Sequence, residues 1–169
     1  MKDIKILIVT LVFSIGLIIG LAALVGGGNN DEGVSVAGVQ VEGITADPES
    51  YDLADVPING GLVSKEYEIK NTTDNVLRLK KIATSCMCTK ASFEVGDIKT
   101  KFFGMEGHGD KNPPVNIEIP AGETGKVIAQ FDPAAHGPQG VGPFDRSIFL
   151  TFSDPAGTKE LKFNGTVVN

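Results

Sequence analysis

Apolar and polar residues alternate with a period of two over most of the chain from residue 63 onward. This alternation is typical of antiparallel strands that place one face in a core and the other face in solvent. Residues 34–44 also alternate, and we interpret them as a short strand or an extended arm. Beyond residue 44 the pattern favours no helix. The apolar positions of the later stretches are Val63, Tyr67 and Ile69; Leu77 and Leu79; Val115, Ile117 and Ile119; Val127, Ala129 and Phe131; Ile148, Leu150 and Phe152; and Leu161, Phe163 and Val167.

Clusters of turn-forming residues separate these predicted strands. The clusters occupy residues 71–75, 120–122, 132–133 and 153–157. Short strands separated by turns about 8 to 12 residues apart are typical of a β-sandwich. Residues 93–114 interrupt the rhythm, and we interpret them as a long loop in which Phe102 and Phe103 are exposed.

An apolar segment at residues 6–25 precedes the predicted strands and carries no charged residue. At about 1.5 Å per residue, a helix of this length spans the roughly 30 Å hydrocarbon core of a membrane. Lys2 and Lys5 lie before the segment, so the positive-inside rule predicts a cytoplasmic N-terminus and an exported remainder. A cleaved signal peptide is the alternative, although its apolar region is usually shorter and a small-residue cleavage site follows it.

The chain is therefore expected to contain four segments. They are a cytoplasmic stub at residues 1–5, a transmembrane anchor at 6–25, a linker and candidate extended arm at 26–47, and a β-sandwich at 48–169. Within the anchor, Gly16 and Gly20 form a G-x-x-x-G pattern that can bring two membrane helices into contact. Since glycine is frequent in membrane helices generally, self-association through Gly16 and Gly20 stands beside the alternative of lipid-facing glycines.

The net charge of −6 is distributed unevenly along the chain. Charges in the first thirty residues sum to +1, so the remaining residues carry −7. Binding to nucleic acid depends on neutralising phosphates with Lys and Arg. The acidity of the exported part therefore argues against a nucleic-acid partner.

Two cysteines, Cys86 and Cys88, are the only ones in the chain, and they lie in the stretch TSCMCTK. Thiols of exported proteins tend to oxidise. In an extended strand, residues i and i+2 share a face with about 6 to 7 Å between Cα atoms, which is near or past the limit for a disulfide. A disulfide would therefore need a bend. Three roles stay open: structural packing with reduced thiols, a disulfide with a redox function, and metal binding.

Metal binding is the most specific of these three hypotheses. Two thiolates on one face are soft ligands that suit Cu(I) or Zn(II). Further ligands would have to come from His108, Met105 or His136, because a closed structural zinc site normally has four protein ligands. The candidate metal residues are accordingly Cys86, Cys88 and His108, with copper or zinc as the candidate ion.

The order of motifs resembles the bacterial domain of unknown function 1573 family over about residues 48–169. The resemblance implies an all-β, immunoglobulin-like sandwich related to Hydin-type and PapD-type domains, here preceded by one N-terminal transmembrane helix. Two features depart from the family pattern: Met87 replaces the usual Gly between the cysteines, and the loop at 93–114 is longer. The motifs that carry the resemblance are Asn71, the SCMCT of residues 85–89, the PAGE of 120–123, the turn at 153–154 and the terminal GTV of 165–167.

Fingerprints of common enzyme classes are missing from the sequence, including G-x-S-x-G, H-E-x-x-H, the P-loop and the dinucleotide-binding motif. We therefore expect no enzymatic activity. The expected function is that of a membrane-anchored, exported domain that serves as a protein–protein interaction or structural module for a protein partner in the cell envelope or the extracellular space. Such a domain could add a partner strand to an exposed sheet edge. Residues 34–44 are then a candidate donor strand, either for a neighbouring molecule or for the domain's own sheet. The alternative is a soft-metal or thiol-redox protein built on Cys86 and Cys88.

Overall fold

Ten strands make up most of the described residues from 44 onward. This computed structural model describes residues 39–107 and 111–169. The strands are β1 (Ile44–Asp47), β2 (Ser50–Pro57), β3 (Val63–Asn71), β4 (Leu77–Thr84), β5 (Thr89–Val95), β6 (Ile98–Lys99), β7 (Ile117–Ile119), β8 (Thr124–Phe131), β9 (Gly142–Asp154) and β10 (Ala156–Val168). In the described ranges, one short 3₁₀ helix, Gly137–Gly140, precedes β9.

The strands form two five-stranded sheets. The first has the order β1-β3-β8-β5-β6, and the second has the order β2-β10-β9-β4-β7. The pairings are antiparallel, except that β2 runs parallel to β10. The all-β prediction is confirmed, and the two sheets are consistent with the predicted β-sandwich.

Membrane-related predictions fall outside the described residues. These are the anchor at 6–25 and the glycine pair Gly16 and Gly20 within it. Across the part of the chain that the structure does describe, none of the helices has the length and apolar character needed to cross a bilayer.

Alternating burial along the strands produces one core from both sheets. In β3, Tyr67, Ile69 and Asn71 are buried while their neighbours are exposed, and β8 buries Val127 and Phe131 by the same alternation. The predicted apolar positions of β9 and β10 are buried in the same cluster. Period-two alternation therefore predicted the core because each sheet has one apolar face.

Tyr67 brings a polar group into this core. Its hydroxyl donates a hydrogen bond of 2.8 Å to the backbone carbonyl of Lys162. Burial raises the pKa of Tyr67 well above its ordinary value of 10.0, and the nearby Tyr51 raises it further. The hydroxyl is thus kept neutral, which is the form that can donate this bond.

Residues 93–107, the described first part of the predicted loop at 93–114, contain more regular structure than the sequence suggested. Its start continues β5 and then forms a short hairpin with β6. Phe103 is buried, and its backbone exchanges two hydrogen bonds of 2.8 Å with Ala91. The expectation that Phe103 is exposed was wrong, because this residue covers the outer edge of β5 and packs into the core. Phe102 is half-buried.

Residues 39–41 lie along β10, next to the position where β2 begins. The amide of Thr158 donates to the carbonyl of Val39 at 2.8 Å, and the amide of Val41 donates to the carbonyl of Thr158 at 3.3 Å. Val41 is buried in the core. The described part of the predicted arm therefore pairs with its own sheet, whereas residues 34–38 lie outside the described residues.

Three loops meet at one end of the two sheets, which we call the cysteine end: residues 58–62, 85–88 and 132–141. Their proximity follows from strand register. Phe131, at the end of β8, lies opposite both Val63 and Thr89. The amide of Ile58 donates to the carbonyl of Val168 at the end of β10.

Candidate functional site

The two cysteines occupy a turn and not a strand. Residues 85–88 connect β4 to β5, and the amide of Thr89 donates to the carbonyl of Cys86 at 3.1 Å. The hydroxyl of Thr84 lies 3.0 Å from the carbonyl oxygens of both Cys86 and Thr89, which fixes the turn from its inner side. The Cα atoms of the two cysteines are 5.3 Å apart. The bend that a disulfide requires is therefore present.

Cys86 and Cys88 are joined by a disulfide. The two cysteines differ in burial: Cys86 is half-buried as a residue, whereas Cys88 is 3% exposed. Met87 stands between them and is 50% exposed. Cys86 is therefore the less buried of the two cysteines.

His136 lies beside the sulfur of the less buried cysteine. Its Nε2 atom is 3.2 Å from Sγ of Cys86. The loop that carries His136 is held to the cysteine turn, because the amide of Asp132 donates to the carbonyl of Cys88 at 2.8 Å. The Asp132 carboxylate also accepts a hydrogen bond of 2.9 Å from the amide of Ala134, which bends the loop back.

Arg146 lies beside the buried sulfur. Its Nε donates to Sγ of Cys88 at 3.1 Å, and one terminal nitrogen donates to the carbonyl of Asp145 at 2.8 Å. Two hydrogen bonds to the cysteine turn set this position: the amide of Ser147 donates to the hydroxyl of Ser85 at 2.9 Å, and the amide of Ser85 donates to the carbonyl of Ser147 at 3.0 Å. A permanent positive charge thus faces one sulfur and an imidazole faces the other.

Sequence reasoning missed Arg146, although the sequence contained a signal for it. Phe144, Ile148, Leu150 and Phe152 occupy the buried phase of β9. Arg146 falls on the same phase, so a charged residue stands where the alternation requires an apolar one. A polar group at such a position needs a hydrogen-bond partner inside the fold, and for the half-buried Arg146 one partner is Sγ of Cys88.

The metal prediction is only partly addressed by the described residues. Both cysteine sulfurs and a ring nitrogen of His136 lie within 4.8 Å of one another. His108, the predicted third ligand, lies outside the described residues. After reduction of the disulfide, the pair and His136 would offer two thiolates and one imidazole, a donor set that suits Cu(I). Copper or zinc binding stays a prediction.

Large apolar side chains are exposed on all three loops of the cysteine end. They are Leu62 at 63%, Met87 at 50% and Val141 at 39%. Single exposed apolar residues are ordinary on a protein surface. Three of them on adjacent loops, next to a disulfide, mark this end as a candidate binding surface.

The outer strands offer little room for an added strand. β1 has four residues, β6 two and β7 three. β2 is longer, but its pairing with β10 is interrupted at Ala54, which has a φ of 51° and whose amide bonds the Asp52 carboxylate at 2.9 Å. Short edges, bulges and charged edge residues are the usual protection against strand addition.

Comparisons with known proteins agree with this architecture. Residues 44–107 match the model of the family described as Protein of unknown function (DUF1573), which confirms the resemblance predicted from the motifs. A crystal structure of a protein of unknown function from Porphyromonas gingivalis W83 is similar in fold, with a TM-score of 0.52 and 18% sequence identity. That match covers 81% of this chain and 51% of the other, so this chain spans about half of that protein.

A second structural match is more distant. The ASH / PapD-like domain of human CEP192 matches with a TM-score of 0.43 and 13% identity, covering 75% of this chain and 86% of that domain. A search of curated protein sequences finds no match.

Proposed function

We propose that this chain, whose residues 44–107 match the family of unknown function 1573, is a membrane-anchored, exported domain that binds a protein partner in the cell envelope. The binding surface is formed by the loops of the cysteine end. The observation that carries the proposal is the exposure of Leu62, Met87 and Val141 on three adjacent loops. The uncharged segment at 6–25 supports the anchoring and the export.

Loops at the end of a sandwich are suited to binding because the sheets hold them in fixed positions. Here the fixing contacts are visible: the 132–141 loop bonds the cysteine turn through Asp132, and the 58–62 loop bonds β10 through Ile58. An apolar contact surface carried by fixed loops loses little conformational freedom on binding. Strand addition, the binding mode expected from the sequence, is disfavoured by the short and interrupted outer strands.

Site-specific cross-linking in living cells tests the proposal. A photoreactive amino acid replaces Met87 in the full-length chain, and the matched control replaces Ile98, which is equally exposed at 51% but lies at the opposite end. We expect a cross-link to one defined protein from position 87 and none from position 98. In a second arm, Leu62→Ser with Val141→Ser should remove the cross-link from position 87. Equal cross-linking from both positions, or a cross-link that survives the double substitution, would contradict the proposal.

The anchor is tested separately by membrane fractionation. The full chain should remain with membranes after alkaline carbonate washing, and its domain should be digested by protease added to intact spheroplasts. A chain recovered entirely in the soluble fraction would reject anchoring without affecting the binding surface.

Soft-metal binding is a second candidate function, favoured by the convergence of two sulfurs and a ring nitrogen within 4.8 Å. We expect the reduced full-length chain to retain one Cu(I) against a chromogenic chelator, and His136→Ala to lose it. Retention of the ion by His136→Ala would exclude this ligand set, and loss of retention in the wild-type chain would exclude the function.

A further inference from the structure

The Cys86–Cys88 disulfide contributes little to holding the fold together. The stabilisation that a disulfide gives grows with the length of chain it encloses, and this one joins residues only two positions apart. Hydrogen bonds from Thr84 and Thr89 already close the same turn. Stabilisation of the fold therefore does not explain why the chain contains this disulfide.

We propose that this disulfide undergoes exchange with an external thiol, with Arg146 as the residue that stabilises the leaving sulfur. The proposal rests on three observations: unequal burial of the two cysteines, a guanidinium nitrogen 3.1 Å from the sulfur of Cys88, and an imidazole nitrogen 3.2 Å from the sulfur of Cys86. It goes beyond the proposed binding function and does not depend on it.

In the first step, an incoming thiolate attacks Sγ of Cys86, which belongs to the less buried of the two cysteines. A bond forms between the attacking sulfur and Cys86, and the Cys86–Cys88 bond breaks. The electron pair of that bond goes to Cys88, which leaves as a thiolate. Exchange is faster when the leaving sulfur bears its negative charge easily, and the adjacent positive charge of Arg146 provides this stabilisation.

In the second step, another thiolate, from the same molecule of a dithiol or from a second molecule of a monothiol, attacks the substrate sulfur bound to Cys86. A substrate disulfide forms, and Cys86 leaves as a thiolate. Its sulfur is then within reach of Nε2 of His136, and of the Cys88 amide at 3.4 Å, both of which can donate to it. In total, two thiols are oxidised to one disulfide, and the protein disulfide becomes two thiols. Another disulfide compound restores the starting state by the reverse reaction.

The substrate is a thiol, and two sources are compatible with the site: a small thiol or a dithiol on another protein. A small thiol can reach Cys86 because this residue is half-buried and not fully buried. The exposed loops around Cys86 leave a surface on which another protein can place its dithiol. The test therefore includes glutathione and a reduced protein dithiol of the C-x-x-C type as separate probes. Faster reduction by the dithiol than by glutathione would identify a protein source, and the reverse order would identify a small thiol. Either order supports exchange.

The test measures how fast each probe reduces the disulfide of the full-length chain in detergent. Acid quenching, maleimide labelling and intact mass give the second-order rate constant. Arg146→Gln removes the charge, Arg146→Lys keeps it, and Arg78→Gln is the matched control at an exposed arginine paired with Glu118. Because exchange rates follow the basicity of the leaving sulfur, we expect about a tenfold loss for Arg146→Gln. Arg146→Lys should recover most of the rate, and Arg78→Gln should not change it.

Two results would overturn the proposal. The first is an Arg146→Gln variant that keeps the wild-type thermal unfolding midpoint and whose disulfide is reduced at the wild-type rate. The second is a wild-type chain whose disulfide is reduced by each probe no faster than that probe reduces oxidised glutathione.

The direction of attack is tested independently, in case Arg146 variants do not fold. Cys88→Ser leaves only the thiol of Cys86, and Cys86→Ser leaves only the thiol of Cys88. We expect the Cys86 thiol to react with an aromatic disulfide reagent at least tenfold faster, since accessibility limits the reaction of a buried thiol. Faster reaction of the Cys88 thiol would contradict the proposed order of attack.

Discussion

Asn71, the last residue of β3, offers a sharp test of what stabilises the end opposite the cysteines. Its side chain is fully buried. The amide nitrogen donates to the carbonyls of Asn75, Ile119 and Pro120 at 2.7, 2.9 and 3.0 Å. The amide oxygen accepts from the amide and the hydroxyl of Thr73 at 2.9 and 2.8 Å. One side chain thus links two separate turns.

The cost of Asn71→Ala can be worked out from these bonds. An amide group has two hydrogens to donate, so the three carbonyls share about two full bonds, and the oxygen accepts two more. At about 1 kcal/mol for each bond, the loss is about 4 kcal/mol, and unpaired buried carbonyls raise rather than lower this figure. For a domain of this size that corresponds to a fall in Tm of roughly 10 to 20 °C.

Urea unfolding followed by circular dichroism measures this loss, with thermal unfolding as a second readout. Asn75→Ala is the matched control, because Asn75 is exposed and enters the network through its backbone carbonyl. We expect the control to change the free energy of unfolding by less than about 0.5 kcal/mol. Asn71→Asp, which keeps the acceptor and loses the donors, should be at least as damaging as Asn71→Ala at neutral pH. A loss below about 1 kcal/mol for Asn71→Ala would refute the reasoning.

Two further predictions concern the core and the N-terminal segment. Tyr67→Phe should cost about 1 kcal/mol at pH 8, because it removes the bond to Lys162. Since the pKa of Tyr67 is raised on folding, only the unfolded chain loses this proton just above pH 10, so wild-type stability should fall there by up to about 1.4 kcal/mol per pH unit. The difference between wild type and Tyr67→Phe should therefore shrink between pH 9 and 11 in urea titrations, and a constant difference would contradict it. Gly157→Ala should destabilise by about 1 to 3 kcal/mol, because a new Cβ would lie 2.7 Å from the Cα and amide nitrogen of Val41; an unchanged Tm would show that this segment is not packed as described.

The strands were predictable because their signal is local. Each sheet has one apolar face, so the period of two appears directly in the sequence, as in β3 and β8. The residues at which the strands begin were harder to predict. Val115 was predicted as a strand residue, yet β7 begins at Ile117, because Asn116 adopts a φ of 53°. The alternation of apolar and polar residues does not reveal that one residue adopts a left-handed backbone conformation.

The site was less predictable because its parts are far apart in sequence. Cys86 and Cys88 were identified from their spacing, but their geometry was argued from an extended strand, whereas they occupy a turn. Arg146 and His136 reach them only through the register of β9 and the path of the loop after β8. The sequence identifies candidate ligands, but strand pairing determines which of them lie close together in the fold.

The protected outer strands have a consequence for many copies held side by side. A sheet edge that can pair with a neighbour becomes more hazardous as local concentration rises, because association then needs no diffusion in three dimensions. In this domain the edges are short, or, in β2, interrupted where Leu53 and Ala54 face Gly165. Copies of the domain at high local concentration would thus not join their sheets through backbone hydrogen bonds, and contacts between copies would be made by side chains.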